Sequence, residues 1–206
     1  MLYYYKIFHF YAMLHNKQNN HDAYSLLTCI ILLGLSLDDR YLVRKKQSGR
    51  QSVPIFGIMN RDEIGPLFRI EGTFTYEKYL DLLNQDILSY IEENYSDGHF
   101  YYYQDNSPIH HARHVRRWFD VNVPAHQLFR TPAKSFDINP IENVWAMAKI
   151  NVAKNGLYNN SDDLWLAITD AWADLRANDG LAHILVDSVP RRLQAIINNQ
   201  GSHTKY

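Results

Sequence analysis

Asp105 and Glu142 are the two residues whose type and setting could do chemistry. Asp105 closes the run "FYYYQD" (100–105), where consecutive aromatics lead straight into a carboxylate. Glu142 stands in "NPIENVW" (139–145), three positions after Asn139 and in the first turn of a predicted helix. In open α/β sheets, ligands bind beyond the carboxyl ends of the strands, and Asp105 would sit there. The stretch between the two acids is long enough for a helix, a strand and a loop to bring the chain back to the same edge. Two carboxylates meeting there could hold Mg²⁺, a hard cation that prefers oxygen ligands and completes its shell with water and phosphate. A pair of such ions about 4 Å apart would activate a water and stabilise the leaving oxygen of a phosphodiester. Structural readings compete. Asn139 and Glu142 have the spacing of a capping box, and Asp105 could accept backbone hydrogen bonds in an Asx-turn before Ser107.

The elements that would position these acids can be read from pattern. "SVPIFGIM" (52–59) and "PLFRIEG" (66–72) flank the turn-rich "NRDEIG" and predict a hairpin. Tyr76, Leu80, Leu83, Ile87 and Ile91 recur at helical spacing behind a candidate cap, Thr75, and "SDG" at 96–98 ends that helix. "HFYYYQ" (99–104) has no polar face, as expected of a strand covered on both sides. Ser107-Pro108 and Asn139-Pro140 each pair a cap residue with proline at the first helical position. The first predicts a helix burying Ala112, Val115 and Phe119. The second predicts one burying Ile141, Val144, Trp145, Ala148 and Val152, ended by Gly156. "AHQLFR" (125–130) lies between them as a strand. A helix from Ser161 should bury Leu164, Ile168, Trp172 and Leu175, and a last helical stretch, 181–198, should break at Pro190. Strands lead and helices alternate with them later, which is an α/β or mixed class.

The composition narrows the field. The chain has 206 residues, enough for one domain with a real core. Its formal net charge of −1 gives no global basic field, though a local basic face remains open. The single Cys29 excludes an internal disulfide framework and fits a reducing compartment. The longest apolar run, "LLTCIILLGL" (26–35), falls short of the roughly 20 residues a membrane span needs, so no membrane partner is expected. No clean period marks the first forty residues, and no Gly or Pro punctuates them before Gly34.

The two acidic blocks, "YYYQDNSPIHHARHVRRWF" and "TPAKSFDINPIENVWAMAK", resemble the second and third catalytic blocks of mariner-type (Tc/mariner) transposases of the DDE superfamily. Those blocks carry a Q-D-N-A-P-x-H run and an S-P-D-L-N-P-I-E-N-x-W run. "GRQSVPIFGIMNRDEIGPLFRIEGTFTYEKYLDLL" is similar to the family's glycine-containing hairpin and the helix after it, and "SVPRRLQAIINNQGSHTKY" to its C-terminal end. The resemblance runs in order from about Leu37 to Tyr206. It implies a ribonuclease-H-like α/β fold, a mixed central sheet flanked by helices, over 41–206, with 1–40 a poorly defined, degenerate segment. It also implies metal-assisted phosphodiester hydrolysis and strand transfer on DNA, both transposon ends and target, with Mg²⁺ or Mn²⁺ as cofactor. Asp105 and Glu142 match the second and third catalytic, metal-binding acids. Asn106, Asn139 and Asn143 match polar positions that would hold the acids in place. Nuclear localisation and a homodimer are further expectations from the family.

The sequence departs from the family's pattern at the first acid, which should end the first strand. The matching segment, "SLLTCIILL" (25–33), contains no Asp or Glu, and neither Asp22 nor the turn residues Asp38 and Asp39 are convincing substitutes. The family's N-terminal DNA-recognition helices have no counterpart in the first forty residues. Phe136 replaces a customary proline, and Arg50 stands where glycine is usual. The chain therefore reads as a truncated or decayed transposase catalytic domain, inactive alone. The rival expectation is a non-catalytic nucleic-acid-binding or interaction module that keeps the fold without the chemistry. Arg113, Arg116, Arg117 and Lys149 are candidate phosphate contacts, with a solvated helix face as the alternative. His99, His110, His111, His114 and His126 crowd residues 99–130, but their spacing fits no closed zinc ligand set. The tryptophans read as packing.

Overall fold

The computed structural model describes residues 26–32, 52–105, 107–130, 138–154 and 158–199. Its centre is a five-stranded sheet of order β3-β2-β1-β4-β5. The strands are β1 (Leu26–Leu32), β2 (Ile55–Met59), β3 (Ile64–Arg69), β4 (Tyr101–Gln104) and β5 (Leu128–Arg130). β1 runs antiparallel to β2 and parallel to β4, and β4 runs parallel to β5. The sheet is therefore mixed, with an antiparallel half built by the hairpin and a parallel half built by crossovers. The middle strand comes from the segment before residue 41, so a boundary at 41 separates β1 from the sheet it completes.

Period-two alternation splits the sheet into two packed faces. Ile55, Met59, Ile64 and Tyr103 face one core, which is closed by α4 (Ile141–Lys154), α5 (Ser161–Arg176), α6 (Leu181–Asp187) and α7 (Val189–Asn198). Phe56, Ile58 and Tyr102 face the other, closed by α1 (Tyr76–Leu82), a π-helical turn (Leu83–Ile87), α2 (Leu88–Asn94) and α3 (Arg113–Asn122). Among the described residues no helix is long and apolar enough to cross a membrane.

The predicted stripes of α4 and α5 are buried residue for residue: Ile141, Val144, Trp145, Ala148 and Val152, then Leu164, Ile168, Trp172 and Leu175. α5 starts at Ser161 as expected and is capped by Asn160, its Oδ1 accepting from the backbone N–H groups of Asp162 and Asp163 at 2.9 and 2.8 Å. The last stretch divides as predicted, with Ser188 between α6 and α7 and Pro190 in the first turn of α7. Two expectations are corrected. The helix from Tyr76 buries Tyr79 in place of Tyr76 and Leu80, which are half-buried, and its π turn carries an extra residue through the stripe. The helix expected at Ser107-Pro108 is instead a 3₁₀ turn, Pro108–His111. Ala112 then adopts an extended conformation (φ −56°, ψ 140°), and α3 starts afresh at Arg113.

One close approach fixes α4 on the sheet. The indole rings of Trp145 and Trp172 pack with centroids 4.6 Å apart, directly over Gly57 of β2. A Cβ at Gly57 would lie 2.7 Å from the Trp145 ring and 2.9 Å from Trp172, so only glycine lets the two indoles down onto the strand.

Candidate functional site

β4 delivers Asp105 to the carboxyl end of the sheet, and α4 presents Glu142 in its first turn. Tyr103 faces the α4 core, and alternation along the strand continues that side to Asp105. Glu142 feels the charge of Asp105. The Glu142 carboxyl is held above the usual carboxylate range, first by burial and then by the negative charge of Asp105, while Lys149 on the same helix pulls it back down.

The acids are held in different ways. The Asp105 carboxylate accepts twice on Oδ1: from the Ser107 backbone N–H at 3.1 Å and from Nδ1 of His110 at 2.7 Å. The Asx-turn reading is thus correct, and it accounts for one oxygen only. His110 Nδ1 also lies 2.9 Å from the Asp105 carbonyl, so the imidazole straddles main chain and side chain of the same residue. Both contacts are acceptors, which places the proton on Nδ1. These bonds draw the Pro108–His111 turn back over the strand end, and they explain why a regular helix does not start at Pro108. The ring is almost wholly buried, 4.7 Å from that of Tyr79. The Tyr79 hydroxyl in turn donates to Oε1 of buried Gln104 at 2.9 Å.

Glu142 has no such bonds. Among the described residues no hydrogen bond reaches its carboxylate, and the capping box is not made. Asn139 is buried, yet among the described residues its Oδ1 has no partner, and only its carbonyl oxygen meets the Glu142 N–H, at 3.3 Å. What positions Glu142 is the helix beneath it, seated by Ile141, Val144 and Trp145.

The other expected site residues divide. Asn139 and Asn143 flank Glu142 at the start of α4, but among the described residues neither hydrogen-bonds to either acid and the Oδ1 atoms of both lack partners. Asn106 lies outside the described residues, as do Asp22, Asp38, Asp39, Arg50 and Phe136. Arg113, Arg116 and Arg117 are exposed along α3, opposite its buried face of Val115, Trp118 and Phe119. Arg116 also donates through Nε to the His111 carbonyl at 2.8 Å. Lys149 is half-buried and turns its charge on Glu142. His110 and Gln104 were missed as site residues. The signal was present, since they are the last and first letters of the Q-D-N-x-P-x-H run that contains Asp105.

The register bears on the absent acid. Cys29 pairs with Gln104, so the next position of β1, Ile30, comes alongside Asp105. No acid occurs in β1, and among the described residues no group of three or more His, Cys, Asp or Glu side chains could hold a metal. Asp105 and Glu142 are oxygen donors of the kind that suits a hard divalent cation.

Comparison with known proteins agrees with this architecture. The catalytic domain of Mos1 mariner transposase superposes with a TM-score of 0.75 at 11% identity, over 98% of this chain and 94% of that one. The fold is the ribonuclease-H-like fold of mariner transposase catalytic domains. The DDE superfamily endonuclease family matches residues 34–165, and the chain belongs to that family. Among its relatives is the Tc1 transposase of Caenorhabditis elegans, 31% identical over 175 residues, covering 84% of this chain. Another is the Tcb2 transposase of Caenorhabditis briggsae, 28% identical over 180 residues. The chain spans 62% of the length of each of these relatives. Solved structures with this fold also include the Mos1 catalytic domain with Mg (TM-score 0.74) and the Mos1 paired end complex with Mg (TM-score 0.69).

Proposed function

We propose that this chain is a transposase catalytic domain that retains two acids of a divalent-metal site and has lost the chemistry that needs the third. Asp105 and Glu142 would hold Mg²⁺ or Mn²⁺ against a DNA phosphate. Such an ion, when bound, supplies charge to the developing oxyanion and acidifies a coordinated water. The chain's own contributions are more definite. His110 and Ser107 fix one oxygen of Asp105, buried α4 fixes Glu142, and the α3 arginines offer guanidinium groups to backbone phosphates without reading sequence. With an apolar residue in β1 beside Asp105, hydrolysis of transposon ends and strand transfer into target DNA are disabled in the isolated chain.

The observation that carries this reading is that β4 and α4 bring Asp105 and Glu142 close enough for Glu142 to feel the charge of Asp105. Glu142, a half-buried carboxylate whose proton affinity is raised by burial and by the charge of Asp105, is poorly placed for stability alone and well placed to share a cation with that acid. The solved structures of this fold that hold Mg, one of them a paired end complex, support the same partners here.

Nicking of supercoiled plasmid in Mg²⁺ or Mn²⁺ tests the proposal on wild type, Asp105→Ala and Glu142→Ala. Equal background in all three is expected. Nicking by the wild type that either substitution abolishes would show the chemistry intact, with its third acid supplied from elsewhere.

A further inference from the structure

We propose that His110 is the positioning residue of Asp105, aligning its carboxylate for the cation; the proposal rests on Asp105 being a metal ligand. Three features of the structure converge on this role. His110 is a buried histidine whose Nδ1 is spent entirely on Asp105, at 2.7 Å from Oδ1 and 2.9 Å from the main-chain carbonyl. The Ser107 N–H is directed at the same oxygen, so both donors fall on Oδ1 and none of the described residues donates to Oδ2. The imidazole cannot swing away, because Tyr79 packs on its ring and is itself tied to Gln104, the residue before Asp105. The result is a closed loop of contacts, from Gln104 through Tyr79 and His110 to Asp105, that returns to its starting point on β4.

This arrangement selects one rotamer of Asp105 and leaves one oxygen for coordination. Partners that orient a metal-binding carboxylate in this way commonly change metal affinity ten- to a hundredfold when removed. A histidine needed only to hold the 3₁₀ turn could do so through the Asp105 carbonyl, with no contact to the carboxylate. The 2.7 Å bond to Oδ1 is the feature that such a role leaves unexplained.

Two variants separate positioning from packing. His110→Phe keeps a ring against Tyr79 and removes the donor; His110→Asn places an amide N–H near the position of Nδ1. Mn²⁺ affinity, read by electron paramagnetic resonance, should weaken roughly ten- to a hundredfold in His110→Phe and recover in part in His110→Asn. Thermal unfolding of each variant reports any loss of fold. Independently of metal, the His110 Nδ1–H proton should give a downfield NMR resonance that moves upfield in Asp105→Asn. Equal Mn²⁺ affinity in wild type and His110→Phe would overturn the proposal, as would a resonance indifferent to Asp105→Asn. If the wild type takes up no Mn²⁺, it is the metal reading of Asp105 that fails, and the resonance still decides whether the clamp exists.

Discussion

Asp105 and Glu142 reach the same edge of the molecule by opposite means. Asp105 sits on irregular backbone just past a strand and is held by local hydrogen bonds from Ser107 and His110. The Glu142 carboxylate accepts no hydrogen bond among the described residues and is carried by a helix whose inner face is wholly buried. The first arrangement is short-range and directional; the second is long-range and depends on packing. A local clamp can be lost without unfolding the protein, whereas a packed helix transmits any fault in the core to the side chain it carries.

The largest test of that contrast lies under α4. Trp145→Ala empties the space above Gly57 and should cost about 3–5 kcal/mol of stability, measured by denaturant unfolding. Gly57→Ala approaches the same contact from the strand. Its methyl would meet the Trp145 ring at 2.7 Å, and the overpacking should cost about 1–3 kcal/mol. In folded Gly57→Ala the His110 Nδ1–H resonance should persist while Mn²⁺ uptake falls, because the fault reaches Glu142 and leaves Asp105 alone. If both signals fall together, the two acids are not independently supported.

Ile30→Asp sharpens the comparison from the third corner. The register sets position 30 beside Asp105, and a carboxylate there should tighten Mn²⁺ binding roughly tenfold, since site affinity follows ligand charge. Unchanged affinity would mean that the metal-facing position of β1 lies elsewhere on the strand.

Glu142→Gln should have the smallest effect, and its sign is informative. Burial and Asp105 raise the Glu142 carboxyl, so the protonated form favours the fold. That contribution is complete below the ordinary carboxyl pKa and is lost as pH rises through the raised one. Glu142→Gln should therefore match the wild type in acid and be the more stable of the two at neutral pH, as judged by thermal unfolding across that range. A less stable variant at neutral pH would show that Glu142 makes a favourable contact.

Much of this was legible in the sequence, for identifiable reasons. α4 and α5 were readable because their buried residues recur at helical spacing between clear start and stop signals. β1 was opaque: "LLTCIIL" is apolar apart from Thr28, and a central strand without alternation resembles any buried segment. The Ser107-Pro108 signal reads the same for a helix and a 3₁₀ turn. The contact that decides between them, His110 on Asp105, is a matter of geometry that spacing does not encode. Asn139 and Glu142 had capping-box spacing but did not form the box, leaving the acid free. Resemblance, more than local pattern, pointed to the pair of acids.

The central claim is that Asp105 and Glu142 grip one divalent site together. Calorimetric titration of Mn²⁺ into wild type, Asp105→Asn, Glu142→Gln and the double variant tests it directly. Acids that share a site do not lose affinity additively, so each single variant should abolish uptake and the double variant should lose nothing further. Uptake that survives either substitution, or losses that simply add, would contradict the account.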